Sequence, residues 1–187
     1  MQKQEAEEIF EIVCKDAQIW LTQANQLKMS ADVIKVELQN AIPLLRFEPS
    51  LNDTVMAFVK SYMLLTAMAF ENLIKGIMLG RDSSSVNREF INRSLLPKGG
   101  HGISEGAKRV SNISGSEDEL LRRLEEYLVW AGRYPMPLRS EVFFNSQSPE
   151  NLRSFSMADF ERIEKLFSRL SGILLEEWNA RERSKYI

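Results

Sequence analysis

The 187-residue sequence contains one cysteine and one histidine. A single cysteine excludes an internal disulfide, and the two residues together cannot supply the four ligands of the usual zinc site. The chain also lacks a Gly-x-x-x-x-Gly-Lys stretch, so the glycine-rich run around His101 is not a phosphate-binding P-loop. No metal and no cofactor are therefore expected.

An excess of charge of one sign is also missing. Lys and Arg total 24 and Asp and Glu total 26, for a net charge of -2. This balance provides no global electrostatic attraction to nucleic acid or to a membrane surface. A site for a polyanion would need a local basic patch.

Long hydrophobic runs are absent from both places where they would direct the chain to a membrane. Four of the first nine residues are Glu or Lys, which is unlike a signal peptide. The most apolar stretch, residues 61–70, is too short to span a bilayer. We therefore expect a cytoplasmic protein with no membrane partner.

Helical periodicity dominates what is present, and it predicts an all-α bundle in a single domain, residues 1–187. The core is expected over residues 53–137, with a C-terminal helix over 156–182 packed on it. Apolar spacing predicts helices over residues 5–27, 53–80 and 85–95, and a short helix that begins at Ser30 and ends before Pro43. Three further helices are predicted to begin at capping serines. These are Ser104, Ser116 with Glu119 as a capping box, and Ser156 with Asp159 in the capping-box position.

The helix over 53–80 is apolar nearly all the way round, so other helices should surround it. Glu71 and Lys75 lie on it four residues apart, in the favourable Glu-to-Lys order. Two interpretations remain open. The pair marks the one exposed edge of the helix, or it lies beside the loop that carries His101.

His101 is the one side chain whose ordinary titration falls near neutral pH. It stands among glycines just before a helix start, where backbone amides can hold an anion. A structural histidine is the alternative. Later in the chain, Gly132 is expected to close a helix in the left-handed conformation, and Arg133-Tyr134-Pro135 follows as a stiff turn.

Three segments, 69–76, 100–103 and 120–137, together and in this order resemble the HEPN superfamily of helical bundles. In that superfamily a central helix often carries Glu-x-x-x-Lys, a Gly-His-Asp-Leu-like turn follows, and a later helix ends with a functional arginine. Glu71, Lys75, His101 and Arg133 match these elements over about residues 55–137. The resemblance implies an antiparallel bundle, often dimeric, in proteins concerned with RNA or nucleotides, frequently in bacterial defence or toxin–antitoxin settings.

Nuclease-active HEPN proteins carry an Arg, usually followed by a small polar residue, and a His that is separated from the Arg by four to six residues. Here Tyr134 follows Arg133, and Leu138, Arg139 and Ser140 stand where the histidine should fall. The resemblance therefore implies a HEPN-like protein that has lost metal-independent RNA cleavage.

Three functions follow as hypotheses. The first is a non-catalytic domain that binds RNA, a nucleotide phosphate or a partner protein through a basic cluster, Lys98, His101, Lys108, Arg109 and Arg133. The second is a ribonuclease that uses His101 and Arg133. The third is a structural or adaptor homodimer formed by apolar helix faces. The predicted binding residues are Glu71, Lys75, His101, Arg133, Tyr134, Lys108 and Arg109.

Overall fold

A computed structural model describes residues 9, 10, 12–14, 16–81, 91, 95–132 and 155–184, and all regular structure in these residues is helical. The all-α prediction is confirmed. The helices are α1 (Ala17–Ala41), α2 (Asn52–Arg81), α3 (Ile103–Val110), α4 (Gly115–Glu126) and α5 (Ala158–Ser184). Two 3-10 turns, Ile42–Arg46 and Pro49–Leu51, join α1 to α2, one turn at Pro97–Gly100 precedes α3, and a π-helical turn, Tyr127–Ala131, continues α4.

Helix α2 contacts each of the other four helices. Its bounds agree with the prediction, because the polar residues 52 and 53 and Gly80 limit the apolar run. The aromatic core lies between α2 and α5, where Tyr62 meets Phe160 edge-on at 5.1 Å between ring centres, and Phe70 meets Phe167 in the same way at 5.7 Å. Glu71 and Lys75 thus lie on α2, the described helix with the most buried residues.

Among the described residues, one helical stretch is long and apolar enough to cross a membrane. It runs from Pro49 to Arg81, with a mean hydropathy of 1.3 over its most apolar window. The prediction that the most apolar stretch, residues 61–70, is too short to span a bilayer underestimated the length of the apolar helix. However, 67% of that window is buried against the rest of the protein, as in the core helix of a soluble protein. Absence of a membrane partner and a cytoplasmic location stay predictions.

The predicted break near residue 30 is wrong, since α1 is continuous from Ala17 to Ala41. The Ser30 hydroxyl donates to the carbonyl of Gln26, 3.0 Å away, inside the helix. Serine forms this bond to the preceding turn when it lies within a helix. Ala31, the next residue, is fully buried, so tertiary packing carries the helix through this position.

Helix α4 begins two residues earlier than predicted, and the Ser116–Glu119 capping box is wrong. The capping box is formed by Ser114 and Glu117, which have the same spacing. Glu117 also pairs with Arg169 of α5 at 2.7 Å. That tertiary contact favours the earlier of two boxes that the sequence makes equally possible.

The end of this helix also differs from the prediction. Gly132 does not adopt a left-handed conformation. Its amide donates to the carbonyl of Tyr127 at 3.1 Å, which continues the π-helical turn. A Cβ at this glycine would lie 2.8 Å from that oxygen and 3.0 Å from the Cβ of Leu64. Close approach to α2 is therefore the reason for a glycine here.

The start of α5 agrees with the predicted cap, because Asp159 accepts a hydrogen bond from the Ser156 amide at 2.8 Å. The helix predicted over 85–95 falls almost entirely outside the described residues.

Candidate functional site

Three predicted site residues meet between α2 and the turn before α3. The Glu71 carboxylate accepts from the Lys75 ammonium at 2.5 Å through Oε1 and is 3.1 Å from Nδ1 of His101 through Oε2. The side chains of Lys75 and Glu71 are only 6% and 13% exposed, whereas His101 is 36% exposed. The exposed-edge interpretation of this pair is therefore wrong. Glu71 and Lys75 lie beside the histidine, which is the most accessible of the three.

The charge on Glu71 determines which nitrogen of the ring carries a proton. Burial raises the pKa of Glu71, but hydrogen bonds and positive charge from His101 and Lys75 outweigh this effect and hold the pKa below its ordinary value. The carboxylate is thus ionised at neutral pH and can only accept, so Nδ1 of His101 must donate. In the neutral ring Nε2 then has the free lone pair, and it is turned away from Glu71.

The backbone of the turn that carries His101, which we call the His101 turn (residues 97–102), is closed by internal hydrogen bonds. The amides of His101 and Gly102 both donate to the carbonyl of Pro97, and the Gly100 amide donates to Leu96. The next amide, of Ile103, donates to the carbonyl of His101. The predicted use of these amides to hold an anion is therefore wrong at residues 100–103. A ligand at this site would have to use side chains.

A fourth residue, Glu125 of α4, completes this arrangement, and it was absent from the predicted site. Its side chain is 5% exposed and pairs with the Lys98 ammonium. Its Oε2 accepts from the Ser104 amide at 3.2 Å. A signal for it exists in the sequence, because Glu125 interrupts the apolar stripe of Leu121, Leu124 and Leu128 on the buried face of α4 and the π-helical turn that continues it.

The remaining described members of the basic cluster lie on α3. The Lys108 ammonium lies between Glu105, at 3.0 Å, and Asp118, at 2.9 Å. Arg109 is exposed near the end of the same helix and forms no ion pair with the described residues. Because Lys98 and Lys108 already have carboxylate partners, the cluster has much less unbalanced positive charge than its sequence suggests.

Arg133 and Tyr134 lie outside the described residues. The described chain reaches Gly132, which touches Leu64 on α2. Leu64 and Glu71 are seven residues apart, which places them on one face of α2 about 10 Å apart.

Neither family models, nor curated proteins, nor solved structures match this chain.

Proposed function

We propose that this chain is a HEPN-like helical bundle that binds a phosphate group of single-stranded RNA at His101 without cleaving it. The observation that carries the proposal is the pairing of Nδ1 of His101 with the buried Glu71 carboxylate. This pairing leaves Nε2 as the available nitrogen of a partly exposed ring, and protonation there makes it a charged donor for a phosphate oxygen.

The charges around the ring support this assignment. Glu71 and Lys75 balance each other, as do Lys98 and Glu125. The protonated form of His101 therefore adds a positive charge to a locally neutral surface, and a polyanion favours that form. Gly132, the residue before the arginine of the HEPN-like segment, lies on the α2 face that carries Glu71.

The small number of histidine nitrogens available for proton transfer supports binding without cleavage. Metal-independent cleavage of RNA needs one group to take a proton from the 2′-hydroxyl and another to give one to the leaving oxygen. The chain has a single histidine. With Nδ1 occupied by Glu71, one imidazole nitrogen remains for both tasks.

The test is the affinity for a labelled single-stranded RNA at two salt concentrations, measured with the wild type, His101→Ala and Lys165→Ala. Hydrogen bonds to charged groups contribute about 1.5–3 kcal/mol, so His101→Ala should weaken binding about 10- to 100-fold. Lys165 is an exposed lysine on α5, and its removal should change affinity only slightly.

Three outcomes would count against the proposal. Equal loss from both variants would mean that binding is not centred on His101. No binding by the wild type at low salt would exclude RNA and leave a protein partner as the ligand. Cleavage of the RNA by the wild type but not by His101→Ala would establish the ribonuclease alternative.

A homodimer is a second candidate function, favoured by one observation on α1. Met29, Val33 and Val36 lie on one face of this helix and are 68%, 69% and 53% exposed. We call this set the α1 strip. The opposite face of α1 packs on α2 and α5. An exposed apolar strip on a helix is suited to pairing with the same strip of a second copy.

The α1 strip predicts the effect of Val33→Glu on molecular mass in solution. A buried valine contributes about 1.5–3 kcal/mol, so a charged residue there should weaken self-association at least about tenfold. The matched control is Leu175→Glu, at an exposed leucine on α5. Sedimentation equilibrium should show a dimer for the wild type and the control and a monomer for Val33→Glu. A monomeric wild type would exclude this function.

A further inference from the structure

Glu125 holds both sides of the His101 turn with one buried carboxylate. One oxygen pairs with Lys98, three residues before His101, and the other accepts from the Ser104 amide, three residues after it. The Glu125 side chain is 5% exposed, so few conformations are open to it. The segment from 98 to 104 is thus fastened to α4 at both ends, with the histidine at its middle.

On the Ser104 side, Glu125 takes the place of a missing helix cap. Gly102 is the residue before the first turn of α3 and has no side chain with which to cap it. A side chain at that position ordinarily accepts from an amide two or three residues later, and Ser104 is the residue two positions on. Glu125 accepts from that amide, and its negative charge suits the positive end of the helix dipole.

On the Lys98 side, Glu125 stabilises an unusual backbone conformation. Lys98 has φ 56° and ψ 43°, and in the described part of the chain it is the one residue other than glycine with positive φ. Such a conformation persists where the surroundings hold it. The ammonium of Lys98 is tied to Glu125, although the side chain is 62% exposed along its length.

We infer that Glu125 is a positioning residue for His101, because it holds the turn in the conformation that brings the imidazole to Glu71. The inference rests on the proposed function only where it concerns RNA affinity. The placement of the ring itself is a separate property, since His101 Nδ1 meets Glu71 whether or not a ligand is bound.

The experiment compares the wild type with Glu125→Gln by nitrogen–proton NMR of the imidazole and by RNA affinity. The chain has one histidine, so its ring signals need no assignment among several. In the neutral wild-type ring the proton should reside on Nδ1. In Glu125→Gln one of the two acceptor oxygens becomes an NH2 group, so the negative charge beside Lys98 is lost together with the contact to either Lys98 or the Ser104 amide. The ring should then shift toward the Nε2–H form that free histidine prefers.

RNA affinity should fall by about three- to tenfold in Glu125→Gln, less than in His101→Ala, because the ring remains and is only displaced. The matched control is Glu119→Gln, at an exposed glutamate on the same helix, which should leave both readouts unchanged. Lys98→Met gives the same test from the exposed side of the pair, in case Glu125→Gln does not fold.

The two proposals fail in different measurements. A wild type that binds no RNA overturns the proposed function, while the NMR comparison still decides the placement of the ring. A proton that stays on Nδ1 to the same extent in Glu125→Gln and Lys98→Met overturns the positioning role, whatever the RNA measurements show.

Discussion

Asp159→Asn is expected to destabilise the protein by about 3–5 kcal/mol, the usual cost of removing one partner from a buried ion pair. Asp159 is fully buried at the start of α5 and accepts two hydrogen bonds from Arg123 of α4, each 2.7 Å long. The amide of Ser156 donates to the same carboxylate. In the variant, one carboxylate oxygen becomes an NH2 group that faces an Arg123 N–H, so the buried guanidinium loses the negative charge of Asp159 and a hydrogen bond becomes a repulsion.

The measurement is the free energy of unfolding in denaturant. The matched control is Glu161→Gln, two residues further along the same helix. Glu161 pairs with Lys165, but both side chains are about three-quarters exposed, and such pairs contribute little. The control should therefore unfold like the wild type. If Asp159→Asn also unfolds like the wild type, the Arg123–Asp159 pair does not join α4 to α5 as described.

The pH dependence of this loss follows from the direction of the pKa shift. Burial raises the pKa of Asp159. The hydrogen bonds from Arg123 and Ser156 and the positive charge nearby outweigh this effect and bring the pKa below the ordinary 3.8. The folded state therefore binds its proton less readily than the unfolded state does, and the ionised carboxylate stabilises the fold above about pH 4. The difference between wild type and Asp159→Asn should be constant near neutral pH and shrink as the pH falls below 3.8.

The sequence was a good guide to helices wherever the signal is local and repeated. The bounds of α2 follow from an apolar run that polar residues and Gly80 close. Single capping residues were a poorer guide, because serine has several uses. Ser30 bonds to the preceding turn inside α1, and Ser104 lies inside α3 with its hydroxyl on Asp118, 2.6 Å away, so the prediction that Ser104 caps this helix is wrong.

The candidate site could be predicted in part for the same reason. Glu71 and Lys75 are four residues apart on one helix, so local spacing was enough to pair them. Their burial and their contact with His101 depend on how the turn before α3 folds against α2. Glu125 was missed because its partners, Lys98 and Ser104, are 27 and 21 residues away in the chain. Only the charged residue within an apolar stripe indicated it.

The HEPN resemblance also makes a prediction about Gly102, because the Gly-His-Asp-Leu-like turn has an aspartate at this position. Gly102 has φ -75° and ψ 70°, so the backbone conformation does not require a glycine. Space does. A Cβ here would lie 2.6 Å from Cγ and 2.9 Å from the carbonyl oxygen of Pro97. The oxygen belongs to the backbone and accepts the hydrogen bonds that close the His101 turn.

We therefore expect Gly102→Asp to destabilise the protein by about 1–3 kcal/mol, the usual cost of forcing atoms into a packed site. An aspartate before the first turn of a helix ordinarily stabilises it by capping an amide. That gain should be reduced here, because one of the two amides that such a side chain can cap, that of Ser104, already donates to Glu125. The matched control is Gly115→Asp at the start of α4, where a Cβ meets no atom within 4 Å and the helix dipole favours a negative charge.

Unfolding in denaturant shows whether Pro97 excludes a side chain at position 102 or can move to admit one. Gly115→Asp should unfold with the same free energy as the wild type or a higher one, and Gly102→Asp with a lower one. If Gly102→Asp proves as stable as the wild type, Pro97 can move aside and the HEPN-like aspartate fits this turn. If it is destabilised as expected, contact with Pro97 excludes an aspartate after His101, and the carboxylate that accepts from the Ser104 amide is that of Glu125 on α4.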